Sequence, residues 1–339
     1  MKVGVIGVGG MGSTHNSALK ALSEIMDIEV TAIADARPEF LDRGLKLWPN
    51  AKGYALGMDL IENEELDCVH ICLPSYLHAD HAVAAMERGM NVLVEKPACL
   101  TVEECQRLEE TQKRTGVKVM VGQVVRFFPE YQYLKEVYES GRYGKLKSVM
   151  MRRLSGKVTW GFEDWFLKEE KSGSVIMDLH IHDVDFLRYL LGEPESVTVY
   201  DTEYESGMVN HVVTAFQYPG VFAMAEGLWD VSAALPFEPE YRAYFEEASI
   251  TFNSKADPKV VVYKSDGTTE IPEIKEDEHL KRDQSNINIS TLGPYYTEIQ
   301  YFYDCLKDGK EPKLAILAEG LQSVKLGIEE WNQVKRRRK

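Results

Sequence analysis

The chain has 339 residues, with 39 Lys and Arg against 54 Asp and Glu for a formal charge of −15, and it is 44% hydrophobic, 27% charged and 10% aromatic. This is a little over two domains' worth of ordinary globular sequence, which excludes a disordered or fibrous chain. The acidity works against nucleic acid or an anionic membrane as the main partner, and no apolar run approaches the roughly 18 residues of a membrane span.

The opening MKVGVIGVGGMG has the early Lys and apolar run of a signal peptide, but its Gly density and the lack of a small-residue cleavage pattern make it a strand entering a Gly turn. Up to residue 122, short β-branched runs at 3–6, 29–34, 67–73, 91–95 and 118–121 alternate with helical patterns such as Leu19, Leu22, Met26 or Ala79, Val83, Met86. Near-continuous apolar strands with helical crossovers imply a doubly wound parallel sheet covered on both faces. The rhythm then changes, so a first domain is expected over 1–122 and a second over 123–339. In the second, a helix is expected at 129–139, a strand at 147–154, an irregular aromatic stretch, and a helix at 175–191 stopped by Gly192 and Pro194. Strand-like runs at 197–200, 209–217, 222–228, 248–252 and 259–263 imply an open, mostly antiparallel sheet with helices on one face. Residues 271–288 read as a polar loop and 295–306 and 314–334 as helices, the last able to pack back on the first domain. The basic end, 335–339, reads as a solvated helix terminus.

Cys68, Cys72, Cys99, Cys105 and Cys305 lack the spacing of a disulfide framework or zinc site, which fits a reduced, cytoplasmic setting. Gly7, Gly9 and Gly12 form G-x-G-x-x-G between the first strand and first helix. The first Gly allows a tight turn, the second lets backbone approach a pyrophosphate, and the third lets helix and strand pack closely. Asp35 ends the second strand 23 positions after Gly12, where a carboxylate can take both hydroxyls of an adenosine ribose. Its charge opposes a 2′-phosphate, so NAD is preferred. NADP stays possible because Arg37 could pair with that phosphate, although a surface position is its commoner fate.

LPSYLH at 73–78 follows the fourth strand and Glu95-Lys96-Pro97 the fifth. With GVGGMG, VGQVVRFFP and GSVIMDLHIHDVDFLRYLLG, these segments make the chain resemble the Gfo/Idh/MocA family (glucose-fructose oxidoreductase and inositol 2-dehydrogenase) along nearly its whole length. The resemblance implies a Rossmann domain followed by an α/β domain. It also implies an NAD- or NADP-dependent reaction at a sugar or polyol alcohol, and a homodimer or homotetramer paired through the second-domain sheet. It places cofactor along Gly7, Gly9, Gly10, Met11, Gly12, Asp35, Ala36, Arg37, Leu73, Pro74, Ser75, Leu77, His78, Glu95, Lys96 and Gln123, with His15 nearby. Lys96 stands at the carboxyl end of a parallel strand, the edge where doubly wound sheets bind ligands.

On the 175–191 helix, Asp178 and His182 are i and i+4 with Asp185 near the same side, whereas His180 is about 200° round from Asp178. That geometry argues against a metal and for a general base oriented by a carboxylate. The resemblance implies that Asp178, His182 and Lys96 are catalytic. Arg126 fits either a substrate contact or a domain-junction salt bridge, and Trp160 and Trp165 fit either a wall for a sugar face or core packing. The chain departs from the family in Ser172-Gly173-Ser174, where an all-Gly run is common, and in His180, where Gly is frequent. His180 therefore either approaches substrate or packs against the sheet. His81, His211 and His279 belong to no motif. Substrate identity depends on which of Trp160, Trp165, His180, Arg242 and Tyr295 face the pocket. Hydride transfer between nicotinamide and a secondary alcohol of a sugar, sugar derivative or inositol is the main expectation. A member that keeps its nucleotide and cycles hydride internally, or a dinucleotide-dependent regulator without turnover, are the alternatives.

Overall fold

The computed structural model describes residues 1–274 and 292–338. The parts of the 271–288 loop beyond 274, and His279 with them, lie outside the described residues. The described chain divides into two compact units, residues 1–127 with 292–324, and residues 128–274 with 325–338. The division falls after Phe127 instead of at 122, and a late segment returns to the first unit.

The first unit is built on six parallel strands, β1 (Lys2–Ile6), β2 (Glu29–Ala34), β3 (Lys52–Tyr54), β4 (Cys68–Ile71), β5 (Asn91–Glu95) and β6 (Val119–Gly122), in the order β3-β2-β1-β4-β5-β6. This is the dinucleotide-binding order, in which the crossover reverses beside β1 and opens a crevice at the strands' carboxyl ends. Only β3 lacks an apolar run to announce it, because Lys-Gly-Tyr sits on the sheet edge. The connecting helices are α1 (Gly10–Leu22), α2 (Pro38–Leu47), α3 (Gly57–Asn63), α4 (His78–Glu87) and α5 (Val102–Thr115). A Thr101/Glu104 capping box starts α5 and a left-handed Gly116 ends it, as the sequence of that segment dictates.

The second unit opens with α6 (Pro129–Ser140), β7 (Leu146–Ser155) and a short α7 (Glu169–Ser172). The expected helix at 175–191 is in fact a π-helical turn, Ile176–His180, running into α8 (Ile181–Leu191). The sheet continues with β8 (Ser196–Glu203), β9 (Val209–Tyr218), β10 (Val221–Trp229), β11 (Glu238–Phe245), β12 (Ala248–Asn253), β13 (Val260–Lys264) and β14 (Thr269–Glu270), in the order β14-β13-β12-β11-β7-β10-β9-β8. All neighbours are antiparallel except β7 with β10. The central strand β11 is absent from the sequence expectation. Its EPEYRAYF alternates charge and ring and carries a Pro, yet Tyr241, Ala243 and Phe245 all point inward. Tyr131 of α6 meets Phe186 of α8, Tyr241 and Phe252 edge-on at 4.9–5.5 Å, which fixes the helical layer on the sheet.

Two long helices close the chain. Residues Ile299, Phe302 and Tyr303 of α9 (Gly293–Lys307) join the apolar core of the first unit. The final helix, α10 (Leu317–Arg337), starts in the first unit, where Gly320 lies against Val121, and runs on into the second.

Candidate active site

In the first unit the Gly turn is shaped as its sequence requires. Gly7 has φ +83°, and a Cβ on it would stand 2.6 Å from the Cys72 carbonyl oxygen. A Cβ on Gly12 would sit 1.7 Å from the Gly7 carbonyl oxygen, so any other residue would force helix and strand apart. No side chain caps the start of α1 and no acid lies in its first turn. Its N-terminal amides and positive dipole end are therefore disposed to take an anion. Gly10 is exposed at that end and Met11 half-buried, a Cβ on Gly9 would stand 2.9 Å from Arg37 Nη2, and Asp35 and Ala36 follow β2.

Asp35 is only 7% exposed and heavily engaged. Its Oδ2 accepts the Val8 N–H at 2.8 Å, and its Oδ1 accepts the Arg37 N–H at 2.9 Å and the Arg37 Nε–H at 3.2 Å. The Arg37 guanidinium also lies 3.7 Å from the Phe40 ring centre. Arg37 is thus neither a loose surface residue nor poised away from Asp35, since it neutralises the carboxylate beside which a ribose would lie.

The segment after β4 runs through Leu73, Pro74 and a tight turn, Ser75–Leu77, into α4. His78 is buried with Nε2 2.6 Å from the Leu73 carbonyl oxygen and Nδ1 2.7 Å from that of Pro97. Its ring ties the loop after β4 to the loop after β5. Burial, the largest influence on it, holds its pKa down. The His81 Nδ1 likewise sits 2.8 Å from its own helix, at the Leu77 carbonyl oxygen. Glu95, at the tip of β5, accepts the Lys96 N–H at 3.2 Å and approaches His15 Nε2 at 2.9 Å. Burial pushes the Glu95 carboxyl upward, but the His15 hydrogen bond and the charges around it outweigh that and hold it below the usual carboxylate range.

Lys96 is half-buried at the carboxyl edge of the sheet. Gln123, just past β6, is 2% exposed and its Oε1 has no hydrogen-bond partner among the described residues. A buried, unpaired acceptor at this edge, an uncapped helix start and a buried ribose-level carboxylate fit a dinucleotide. Arg126 is 2% exposed and its Nη1 pairs with Glu319 of α10, inside the first unit. Tyr295 packs on that unit's apolar core.

In the second unit the π turn and α8 are pinned on two sides. Arg153 of β7 holds Asp183 through both carboxylate oxygens, at 2.8 and 3.0 Å, and also donates to the Tyr131 hydroxyl at 3.1 Å. His180 is fully buried, with Nε2 3.2 Å from Thr214 Oγ1 and 3.3 Å from Glu330 Oε1 of α10. His180 therefore packs against the sheet, the second of the two fates open to it. Between these anchors Asp178 and His182 are half-buried while Leu179, His180, Ile181 and Asp183 are buried. Asp178 lies in the π turn, a helical irregularity frequent at functional positions, and His182 in the first turn of α8. Asp185, in contrast, is 1% exposed. Gly173 and Ser174, with φ +68° and +63°, bring the chain into the turn.

On the loop after β7, Trp165 stacks on Phe166 at 3.9 Å and Trp160 meets the same ring edge-on at 4.8 Å. Phe166 in turn contacts Trp229, so the two tryptophans cap an aromatic cluster, with Trp160 left 49% exposed. Arg242 is exposed on β11, and His211 pairs with Glu226 at 3.0 Å. The roles of the Lys96 neighbour Glu95 and of the His180 anchor Glu330 could not be read from spacing, because their partners lie 80 and 150 residues away. Among the described residues no group of three or more His, Cys, Asp and Glu side chains could hold a metal, and no helix is long and apolar enough to cross a membrane.

The family model for an oxidoreductase family with an NAD-binding Rossmann fold matches residues 1–123, and the C-terminal domain model of the same family matches 131–251. The chain belongs to the GFO/IDH/MocA oxidoreductase family. An inositol 2-dehydrogenase of Salmonella typhimurium is 29% identical over 227 residues, 66% of this chain and 63% of that relative. The chain thus spans a little under two thirds of the first curated relatives it matches. The scyllo-inositol 2-dehydrogenase (NAD(+)) of Bacillus subtilis is 27% identical over 326 residues, covering 92% of this chain and 88% of the relative. Among solved structures, a levoglucosan dehydrogenase in complex with NADH and levoglucosan has TM-score 0.84 at 21% identity, covering 99% of this chain and 97% of that one. This likeness carries the fold of both units.

Proposed function

We propose that the chain is an NAD-dependent dehydrogenase that oxidises a secondary alcohol of a sugar, sugar derivative or inositol. The observation that carries this reading is that Asp178 and His182, four residues apart, are both half-buried while His180 and Asp183 beside them are buried and anchored. Bound NAD supplies the hydride acceptor. His182 takes the hydroxyl proton as the carbinol hydrogen departs as hydride, and Asp178 orients the imidazole and balances its charge. Lys96 polarises the reacting oxygen, and Gln123 offers its unpaired acceptor to the cofactor. Asp35 favours NAD, but its pairing with Arg37 lowers the barrier to NADP by supplying a guanidinium at the same place.

The inositol dehydrogenases among its relatives support a polyol substrate. Trp160, half exposed on its aromatic cluster, is our choice for the wall against a sugar face. Arg126 is a weaker candidate for substrate, because its charge is already met by Glu319. We place the protein in the cytoplasm, on its sparse and unpatterned cysteines, with neither nucleic acid nor membrane as partner. We also expect a homodimer or homotetramer.

The decisive test is a screen of NAD and NADP reduction across inositols, aldoses, sugar acids and amino sugars. We expect NADH formation with at least one polyol, and a fall of about 10²-fold or more in turnover for His182→Ala. Failure of both nucleotides to raise the melting temperature would sink the reading at its first step. Substrate conversion without net NADH, by protein purified with nucleotide bound, would identify the internally cycling alternative.

A further inference from the structure

A chain of buried hydrogen bonds crosses the first unit and has no part in the reaction above. Glu95 Oε1 is 2.9 Å from His15 Nε2, His15 Nδ1 is 2.8 Å from His70 Nδ1, and His70 Nε2 is 2.9 Å from the Tyr303 hydroxyl. That hydroxyl is in turn hydrogen-bonded to the Cys68 thiol. His15, His70 and Tyr303 are fully buried and Glu95 is 5% exposed. One end of the chain therefore reaches the strand edge at Lys96, whose N–H donates to Glu95 Oε2, and the other reaches the first residue of β4.

Two proton arrangements satisfy this chain without moving a heavy atom. In the first, Tyr303 donates to His70 Nε2, His70 donates from Nδ1 to His15 Nδ1, and His15 donates from Nε2 to the Glu95 carboxylate. Both rings are neutral and the chain carries one negative charge. In the second, His15 holds protons on both nitrogens and donates to Glu95 and to His70 Nδ1. His70 then donates from Nε2 to the Tyr303 oxygen, and Tyr303 turns its proton toward the Cys68 sulfur. The net charge is now zero, and the two arrangements differ by one proton.

The remaining members do not compete for that proton. Burial, and then the neighbouring His15 ring, hold the His70 pKa well down. Burial pushes the Cys68 thiol up to about 12 and the Tyr303 hydroxyl well above its ordinary value, with Asp67 beyond them adding to both. At the other end Lys96 and His78 face Glu95 and favour its ionised form. Burial, with Glu95 next to it, keeps the Cys72 thiol protonated.

We propose that the Glu95–His15–His70–Tyr303 chain is a redox-linked proton store, taking up one proton from solvent when the nicotinamide beside Lys96 passes from oxidised to reduced. The inference rests on the placement of the nicotinamide at Lys96 argued under the proposed function. Reduction turns a cationic ring into a neutral one. The chain's anionic arrangement then loses a stabilising neighbour, and the neutral arrangement, one proton richer, is favoured. In the reaction the hydride passes from the carbinol carbon to the ring and the hydroxyl proton to His182. The stored proton is a separate one drawn from water at the Glu95 end.

The test is binding, not turnover. Dissociation constants of NAD+ and NADH for the full chain are measured by calorimetry from about pH 5.5 to about pH 8.5, the range in which an imidazole exchanges protons. Adenine, ribose and phosphates are common to both nucleotides, so the ratio of their affinities isolates the nicotinamide. In the wild type, NADH affinity relative to NAD+ should fall as pH rises, by up to about tenfold per pH unit where the chain titrates. Glu95→Gln should flatten this dependence, because a proton would then leave a net positive charge in the interior. His70→Phe should flatten it as well, because the His15 Nδ1 proton has no acceptor. Merely structural damage would weaken both nucleotides alike without touching the slope, and should one variant fail to fold, the other decides. A flat wild-type ratio, or an undiminished slope in either folded variant, overturns the proposal. Absence of binding by the wild type overturns instead the cofactor reading beneath it.

Discussion

Asp178 and Asp183 stand five residues apart and differ in burial. Asp183 is fully buried and held by both Nε and Nη2 of Arg153, whereas Asp178 is half-buried four residues before His182. Asp183→Asn would leave the Arg153 charge without its counterion in the interior, and we expect a loss of about 3–5 kcal/mol, read as a fall in melting temperature and denaturant midpoint. Asp178→Asn should lower kcat steeply, since it removes the carboxylate four residues before the proposed base. An unchanged kcat in Asp178→Asn would remove the role proposed for that carboxylate. The i, i+4 spacing singles out Asp178 and His182 in the sequence as the proposed carboxylate and base, and the glycine spacing announces the turn that Gly7 and Gly12 form. The anchors were not, because a carboxylate on a helix carries no mark of an arginine 30 residues earlier, nor His180 of a glutamate 150 residues later.

At the scale of elements, strands with apolar runs were readable to within a residue or two, except β8, which runs three residues past its expected end, and those that depend on tertiary context were not. β11 is a central strand built from alternating charge and ring, and β3 survives on an edge with three residues. The π turn was equally hidden, since Ile176–His180 has the composition of any buried helix. What the turn requires is a close approach to β10. A Cβ on Gly227 would stand 2.8 Å from the His180 Cβ and 3.3 Å from its Nδ1. Gly227→Ala should therefore push the turn off the sheet, costing about 1–3 kcal/mol and reducing kcat more than it changes NAD affinity. Unchanged stability and kinetics in that variant would show that the turn tolerates a looser seat, and that its packing does not position His182.

Across the whole molecule the formal charge of −15 sets the terms of self-association, because two copies repel over distances comparable to a Debye length of about 10 Å at 0.1 M salt. The sheet of the second unit offers a face where this repulsion is locally cancelled. Arg152 lies 3.3 Å from Glu226 and 3.0 Å from Glu240, and His211 completes the row at 3.0 Å from Glu226. On the same strands Phe222 is 46% and Tyr244 36% exposed, both in register with Ser148 of β7. An apolar row beside acids that are already paired is suited to a second copy of the same face, since a two-fold contact buries the rings without opposing unpaired carboxylates. Light scattering should give a dimer or tetramer at micromolar concentration, weakened at low ionic strength as the remaining surface charge is unscreened. Phe222→Asp places a charge within that row and should shift the mass toward the monomer while leaving the melting temperature of the dilute protein nearly unchanged. An assembly that ignores this substitution, or that strengthens as salt is removed, would require a different surface.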